Sequence, residues 1–575
     1  MQFKSMKKGF ALGTLIALAV SSSVLAAPAA PTGLQVPSQA TTAEGTTLIW
    51  ERPAKTKDII AYNVYMDGKL IQRTDEDFSS LAKKEIKDFY AATPKAQPIT
   101  NHIYRVKGLQ PSSKHTFVVR ALDTNGDEST DSNKLTVTTL AKSNAVIDIT
   151  KYGAAGDGKT LNTAAIQKAI RDCPAGGTVV VPAGVFKTGA LWLKSDMTLE
   201  VQKGATLLGS EDPNSYPYHY KLYPYLSDER YYALINAKPG QDGKRLQNIR
   251  IVGEGTIDGN GWKKGADGNY LYREKGKNKD GTLKKNHVLN IGILAANQVK
   301  SLEENEKLDE NKAYPRRSSL ILLQGVDKVY VTGVTLRNPA NHGFIAQHCN
   351  DVVIENTQFR TFNCNNGDGI EFGHGSGLKV MDNVFDTGDD CVNFAAGQGA
   401  LGEKDHPTEN IWIFNNSFHR GHGAVVMGSH TAAYIQKLLA EDNVIDGTEI
   451  ALRMKTNPVN GGGARDIHFR NNAAKNILKN FFIATTAYSD PNAAASFPKA
   501  TKTGSFYNIL VEDCTVFGTK KAAIEIEGQP DAMHHDITFK NVEIKDGQPW
   551  KLTNAKNINF ENVKQTVTKT KETKK

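Results

Sequence analysis

One pattern returns eight times from Val352 onward, and few folds can accommodate it. An apolar residue is followed by another two places later, by Asn or Asp at the fifth place and by an apolar residue at the eighth. It reads Val352-Val353-Ile354-Glu355-Asn356…Phe359, then Leu378…Asp382…Phe385, Ile411…Asn415…Phe418 and Leu438…Asp442…Ile445. Ile467…Asn471, Ile509…Asp513…Val516, Ile537…Asn541…Ile544 and Ile558…Asn562 continue it. Asn356, Asn415, Asn541 and Asn562 are read as turn residues whose side chains bond backbone groups. Interleaved with these segments are shorter alternating strands marked by Ile370/Phe372, Val392/Phe394, Val425/Met427 and Leu452/Met454. From Leu378 to Ile411 to Leu438 the steps are 33 and 27 residues, and Val392, Val425 and Leu452 repeat both. Insertions therefore lengthen loops while both strands keep their place. A period of this size, with short strands and no intervening helix, predicts an all-β parallel solenoid. An antiparallel sandwich would need hairpin turns at those points, and the segment carries none.

The second set of strands also carries the ionisable chemistry. Asn366-Gly367-Asp368-Gly369, Gly388-Asp389-Asp390-Cys391 and Gly421-His422-Gly423 each precede one such strand, and Arg453-Met454-Lys455 lies on the last. Side chains on a strand alternate faces, so Glu371, Asn393 and Arg453 point away from the apolar pairs. Parallel stacking would bring three carboxylates, an imidazole and two cations onto one outer surface. Structural turns have no need of an acid pair facing Arg and Lys, which favours a catalytic role for the carboxylates.

Residues 1–26 read as an export signal: Lys4, Lys7 and Lys8 precede the apolar run Phe10 to Val20, and Val24-Leu25-Ala26 offers a cleavage site. That run is short for spanning a bilayer, and no later one is long enough, so the expectation is an exported protein, periplasmic or secreted. Five cysteines are few for an exported chain, and the odd count leaves one unpaired, so disulfides do not build the fold. The net charge of +9 suits a polyanionic substrate. Without aromatic-basic stacking motifs, nucleic acid is not expected as a partner.

Residues 31–140 read as a separate small β-domain. Leu48 and Trp50, Tyr62 and Val64, and Phe117 and Val119 alternate between turn signals such as Asp67-Gly68. The order of these strands resembles a fibronectin type III sandwich, with His115 where that family places its corner tyrosine. The domain is expected to space or brace its neighbour. From Ile147, a helix over Thr163 to Arg171, capped by Asn162, would present Ala165, Ile166, Ala169 and Ile170 and cover the open end of the solenoid. Two insertions follow, Tyr216 to Tyr232 and Trp262 to Arg317. They are either solvated loops or walls at one end of a cleft. Residues 566–575 form a charged tail.

The four motifs in order resemble the signature of the polygalacturonases, glycoside hydrolase family 28: Asn-x-Asp, Gly-Asp-Asp, Gly-His-Gly and Arg-x-Lys. The likeness covers about residues 145–565, and the layout with an extra N-terminal domain resembles bacterial exo-polygalacturonases. It implies a right-handed parallel β-helix and inverting hydrolysis of α-1,4-linked galacturonate, exo-acting from the non-reducing end. It further implies Asp389 as general acid, Asp368 and Asp390 positioning and activating water, and His422 tuning or orienting the acid. Arg453, Lys455 and Tyr488 would hold the substrate. No cofactor or metal is expected, and the enzyme is expected to act as a monomer on polygalacturonate, free of membrane once the signal is removed.

The chemistry points the same way. Glycoside cleavage needs one protonated carboxyl for the leaving oxygen and one ionised carboxylate for water, roughly 6.5–9.5 Å apart in inverting enzymes. Three carboxylates on adjacent rungs resist full ionisation, so one should keep its proton. Bidentate Arg suits a uronate carboxylate. The alternatives are an endo-acting or rhamnogalacturonan-type hydrolase, a pectate lyase whose acid trio holds Ca²⁺, and a non-catalytic pectin-binding solenoid.

Overall fold

Backbone geometry explains why the fifth place of the repeat takes Asn or Asp. The computed structural model describes residues 27–53, 58–143, 145–263, 292–362, 364–489 and 497–567; the proposed signal and most of the charged tail lie outside these. Asn356, Asp382, Asn415, Asp442, Asn471, Asp513, Asn541 and Asn562 all have φ between +48° and +58°. Among residues with a side chain, Asn and Asp tolerate this left-handed region best. Each turns the chain at a corner, as Asn356 does between strands Asn350–Glu355 and Gln358–Arg360.

The predicted register holds residue for residue. Val352 pairs with Leu378, Leu378 with Ile411 and Ile411 with Leu438, all in parallel. Two such ladders join into one sheet of 24 strands, and a third ladder forms a sheet of 11, among the described residues. The chain is thus a parallel β-helix preceded by antiparallel sheets. Apolar residues at the eighth place stack inside it: Phe359, Phe385 and Phe418 lie at centroid spacings of 4.6 and 4.9 Å. Next to each corner runs an internal ladder not foreseen from the sequence. Asn383 donates to Asn416, Asn416 to Asn443 and Asn443 to Asn472, each at 3.0 Å. Their side chains also accept from the Thr357 amide and donate to the Ile354 and Val380 carbonyls, satisfying backbone groups beside the corners.

A helix, Thr163–Asp172, covers the first coil and buries Ile166, Ala169 and Ile170 as expected, with Ala165 half-buried. Its cap differs from expectation. The Asn162 side chain makes no helix cap and instead bonds Ala155, Thr160 and Lys187, closing the preceding loop. The loop leads into a strand, Asp157–Leu161, before the helix begins.

The small N-terminal unit has two antiparallel sheets, of three and four strands. Leu48, Trp50, Tyr62, Val64, Phe117 and Val119 are fully buried between them. His115 bonds Asp67 at 2.8 Å and Ser113 at 2.9 Å, tying strand to turn where a corner tyrosine was expected. A helix over Leu81–Ala92, absent from the sequence reading, packs Ile86 and Phe89 on Val444 and Ala473 of the solenoid.

This unit is clamped to the coil corners. Ile49 and Ile103 pack against Tyr330, Val353, Met381 and Phe414. Arg52 pairs with Asp442 at 3.1 Å, Ser80 donates to Asp382 at 2.6 Å, and the His102 amide donates to Asn415 at 2.9 Å. The residues that turn the coil also hold the neighbouring unit, which supports the bracing role proposed for residues 31–140.

Candidate active site

Six consecutive strands of the 11-stranded sheet frame the site, and the middle four carry the motifs: β1 (Phe344–Gln347), β2 (Ile370–Gly373), β3 (Val392–Ala395), β4 (Val425–Met427), β5 (Leu452–Lys455) and β6 (Phe482–Thr485). Ile370, Val392, Val425 and Leu452 stack inward in register, which puts Glu371, Asn393, Val426 and Arg453 in one outward row. Asp368 and Asp390 each lie two residues before the first strand residue, so the same register stacks them. The glycines of the motifs allow this closeness. A Cβ at Gly388 would meet the Cys364 carbonyl oxygen at 2.1 Å, and one at Gly421 would meet Thr387 Oγ1 at 2.6 Å and Cys391 Sγ at 2.7 Å.

Asp368, Asp389, Asp390, Lys455 and Tyr488 line one recess. His422 and Arg453 stand beside it, in contact with the acids. His422 Nδ1 lies 2.9 Å from Asp389 Oδ1. Arg453 Nη1 and Lys455 Nζ lie 3.1 and 2.8 Å from opposite oxygens of Asp390, which is fully buried. Both cations also face the Tyr488 ring, Lys455 at 5.0 Å and Arg453 at 5.7 Å. The two cations expected to grip substrate are thus already paired inside the free protein.

The three acids are not electrostatically alike. Burial, reinforced by the charges of Asp389, Asp390 and Glu371, raises the Asp368 carboxyl well above the ordinary range. Burial would raise Asp389 too, but the charge and hydrogen bond of His422, with Lys455 and Arg453, outweigh it and hold Asp389 below the ordinary range. His422 is raised in turn: burial opposes its charge and the Asp389 charge prevails. Of the three acids, Asp368 is thus the one whose surroundings most favour the protonated form.

A stability prediction follows. A carboxyl with a raised folded-state pKa costs stability at neutral pH, where the unfolded chain ionises it freely, and costs nothing below the ordinary carboxylate range, where both states are protonated. Asp368→Asn should raise Tm at pH 7 while abolishing activity, and the gain should shrink as pH falls through that range. Thermal unfolding across pH checks this; an Asn variant less stable at pH 7 would contradict it.

Several residues outside the motifs complete the recess and its support. Glu371 Oε2 lies 2.6 Å from His342 Nδ1. Burial favours the neutral acid here, yet the charge and hydrogen bond of His342, with the Arg230 guanidinium, lower its pKa. His430 is held neutral by burial, its pKa lowered to about 4, and Nδ1 meets the Tyr223 hydroxyl at 2.9 Å. Leu222 and Arg230 come from the first insertion, Tyr314 and Pro315 from the second. Arg317, fully buried, fastens that second wall: it donates to Tyr314 O at 2.6 Å, Ala340 O at 2.6 Å and Asn366 Oδ1 at 2.9 Å. The insertions are walls rather than solvated loops where described; residues 264–291 lie outside the described residues. Only Glu371 was legible, from strand alternation.

Known proteins share both halves of this arrangement. The chain is 44% identical over 573 residues to an exo-poly-alpha-D-galacturonosidase of Dickeya chrysanthemi, covering 96% of this chain and 94% of the relative. The profile of glycosyl hydrolases family 28 matches residues 301–569. The chain belongs to glycosyl hydrolases family 28. Residues 146–209 match a second profile, described as rhamnogalacturonase A/epimerase, pectate lyase-like. The structure of a Yersinia enterocolitica family 28 exopolygalacturonase superposes with a TM-score of 0.87 at 40% identity, covering 93% of this chain and 96% of that one. A Thermotoga maritima exopolygalacturonase gives a TM-score of 0.59 at 25% identity, with 74% and 92% covered. As a family 28 member, the chain is a glycoside hydrolase.

Proposed function

We propose that this hydrolase cleaves α-1,4-galacturonosidic bonds of polygalacturonate with inversion, removing short products from the non-reducing end. The observation that carries this reading is the convergence of the acid trio and two cations at a recess that both insertions help to wall. Asp389 gives its proton to the leaving glycosidic oxygen. Water, held by Asp368 and Asp390, attacks the anomeric carbon from the opposite face and leaves its proton with them. One proton leaves the trio and one enters, so each turnover restores its charge.

The proton position in the free site is reconciled with this role through the substrate. A uronate carboxylate drawn to Arg453 and Lys455 adds a negative charge beside the cations that keep Asp389 ionised. Its acidity then weakens, and the shared proton shifts toward Asp389 from Asp368. His422 orients Asp389 throughout, and Tyr488 offers a face to the sugar ring beside the cations.

Export is part of the proposal, resting on the Lys-rich and apolar composition of residues 1–26. All five cysteines are buried thiols, so export needs no disulfide. No helix among the described residues is long and apolar enough to cross a membrane.

Product analysis on unmethylated polygalacturonate tests reaction and mode together. The expected result is one short product with a saturated end from the earliest time points. Unsaturated ends would mean β-elimination, and an early spread of long oligomers would mean endo cleavage.

A further inference from the structure

Away from the recess, two coils and one loop bring together a second constellation. His348 follows β1 and His374 follows β2, so the in-register pairing of Gln347 with Gly373 stacks the imidazoles, 5.0 Å apart and 14° from parallel. Asp405 reaches them from the loop between β3 and the next coil. Its oxygens lie 3.1 and 3.0 Å from His348 Nε2, and Oδ2 lies 3.7 Å from His374 Nε2. One donor atom from each residue fits within 4.8 Å of the other two. None of the three lines the recess.

His374 makes this more than an ion pair. Its side chain is fully buried, and its Nε2 has no hydrogen-bond partner. Its Nδ1 lies 2.7 Å from the His406 carbonyl oxygen. A carbonyl only accepts, so Nδ1 carries the hydrogen and Nε2 presents a lone pair toward Asp405. A backbone carbonyl fixing one nitrogen while the other is bare is the usual outer support of a metal-bound histidine. Asp405 is likewise oriented, accepting from the His406 amide at 2.7 Å. The one guanidinium nearby, Arg245, is taken up by Asp327 and the His348 carbonyl. In a tetrahedral zinc site, donors on neighbouring vertices lie about 3.3 Å apart; 3.0 and 3.7 Å bracket that value.

We propose that His348, His374 and Asp405 form a structural site for a borderline divalent transition metal of the zinc class, with water from the exposed side as fourth ligand. Two imidazoles and one carboxylate suit such an ion better than calcium or magnesium, which take oxygen ligands. The ion would pin the loop that follows β3 against two successive coils. In that loop the Gln398 amide donates to the Tyr225 hydroxyl at 2.9 Å, and the Tyr223 ring contacts both His374 and His430. The clamp would therefore stiffen the outer support of the recess wall without touching the reacting atoms.

The test uses the full chain stripped with chelator, then titrated with Zn²⁺ alone and, separately, Co²⁺ alone. Wild type should bind at this site one ion per chain with a rise in Tm of a few degrees, reversed by chelator, and Co²⁺ should give visible absorption of a tetrahedral ion. His348→Ala and Asp405→Asn, at partly exposed positions, should lose this binding by more than the roughly 10–100-fold that removal of an outer-sphere partner costs. Asp405→Asn keeps the side-chain shape and serves should His348→Ala fold poorly. His422→Ala should keep it, which separates this site from the Asp389, Asp390 and His422 cluster. Absence of any metal-dependent change in wild type, or equal binding by Asp405→Asn, would overturn the proposal, as would loss of binding in His422→Ala alone.

Discussion

Asp389→Asn should lower kcat by about 10²–10⁴-fold, the range a positioned general acid contributes, with little change in substrate affinity. The substitution preserves shape: an Asn oxygen can still accept from His422 Nδ1 and from the Asp390 amide, which now lie 2.9 and 3.0 Å from Asp389 Oδ1. The ion pairs of Arg453 and Lys455 go to Asp390 and are left intact. What disappears is the only proton donor in the proposed role and one negative charge of the trio. With that charge gone, Asp368 should titrate closer to an ordinary carboxylic acid, since Asp389 is the largest of the like charges that raise it. Steady-state kinetics on polygalacturonate, together with binding of a trigalacturonate to the variant, checks both parts. Activity within tenfold of wild type would remove Asp389 from the acid role and pass it to Asp368, whose surroundings most favour the protonated form.

Asp442→Asn should destabilise the fold by about 3–5 kcal/mol, a cost typical of breaking a buried ion pair from one side. Asn keeps the tolerance for φ +53° that this corner requires, so the substitution tests the charge rather than the turn. It removes the carboxylate that pairs with the Arg52 guanidinium, 4% exposed, at 3.1 Å. Burial alone would raise the Asp442 carboxyl, but Arg52 and His102 outweigh it and lower its pKa. A depressed folded-state pKa means that the stabilisation is complete at neutral pH and fades as pH falls below the ordinary carboxylate range. Denaturant unfolding of wild type and variant from neutral to acid pH should therefore show curves that converge. Replacing Arg52 by Met in the variant should recover much of the loss, because the buried charge goes with it. A cost below about 1 kcal/mol at pH 7 would show that the corner pairs do not hold the two units together.

The corners show where sequence reasoning reaches and where it stops. Asp442 and Asn415 were legible as turn residues because φ near +50° is a local demand, written in residue type and repeated at a fixed step. Their second task, holding Arg52 and His102, was hidden because those partners lie 390 and 313 positions away. The recess divides in the same way. Asp368, Asp389 and Asp390 directly precede, and Arg453 and Lys455 lie on, strands whose two-residue alternation and constant step set their side and level, so their convergence could be stated from spacing alone. Glu371 was placed outward on the same grounds, but its partner His342 lies one coil before the motifs, and the walls contributed by Arg230 and Tyr314 belong to segments with no period. Likewise Asn162 has the residue type of a helix cap, yet three backbone groups of its own loop take its side chain instead.

By itself the sequence determined the coil, its register and the face on which the acids and cations meet. Only the tertiary structure decided which acid most favours the protonated form, which end of the groove is walled and where the small unit docks. A repeating strand is governed by neighbours one coil away at constant spacing, whereas burial, field and closure sum over residues from every part of the chain.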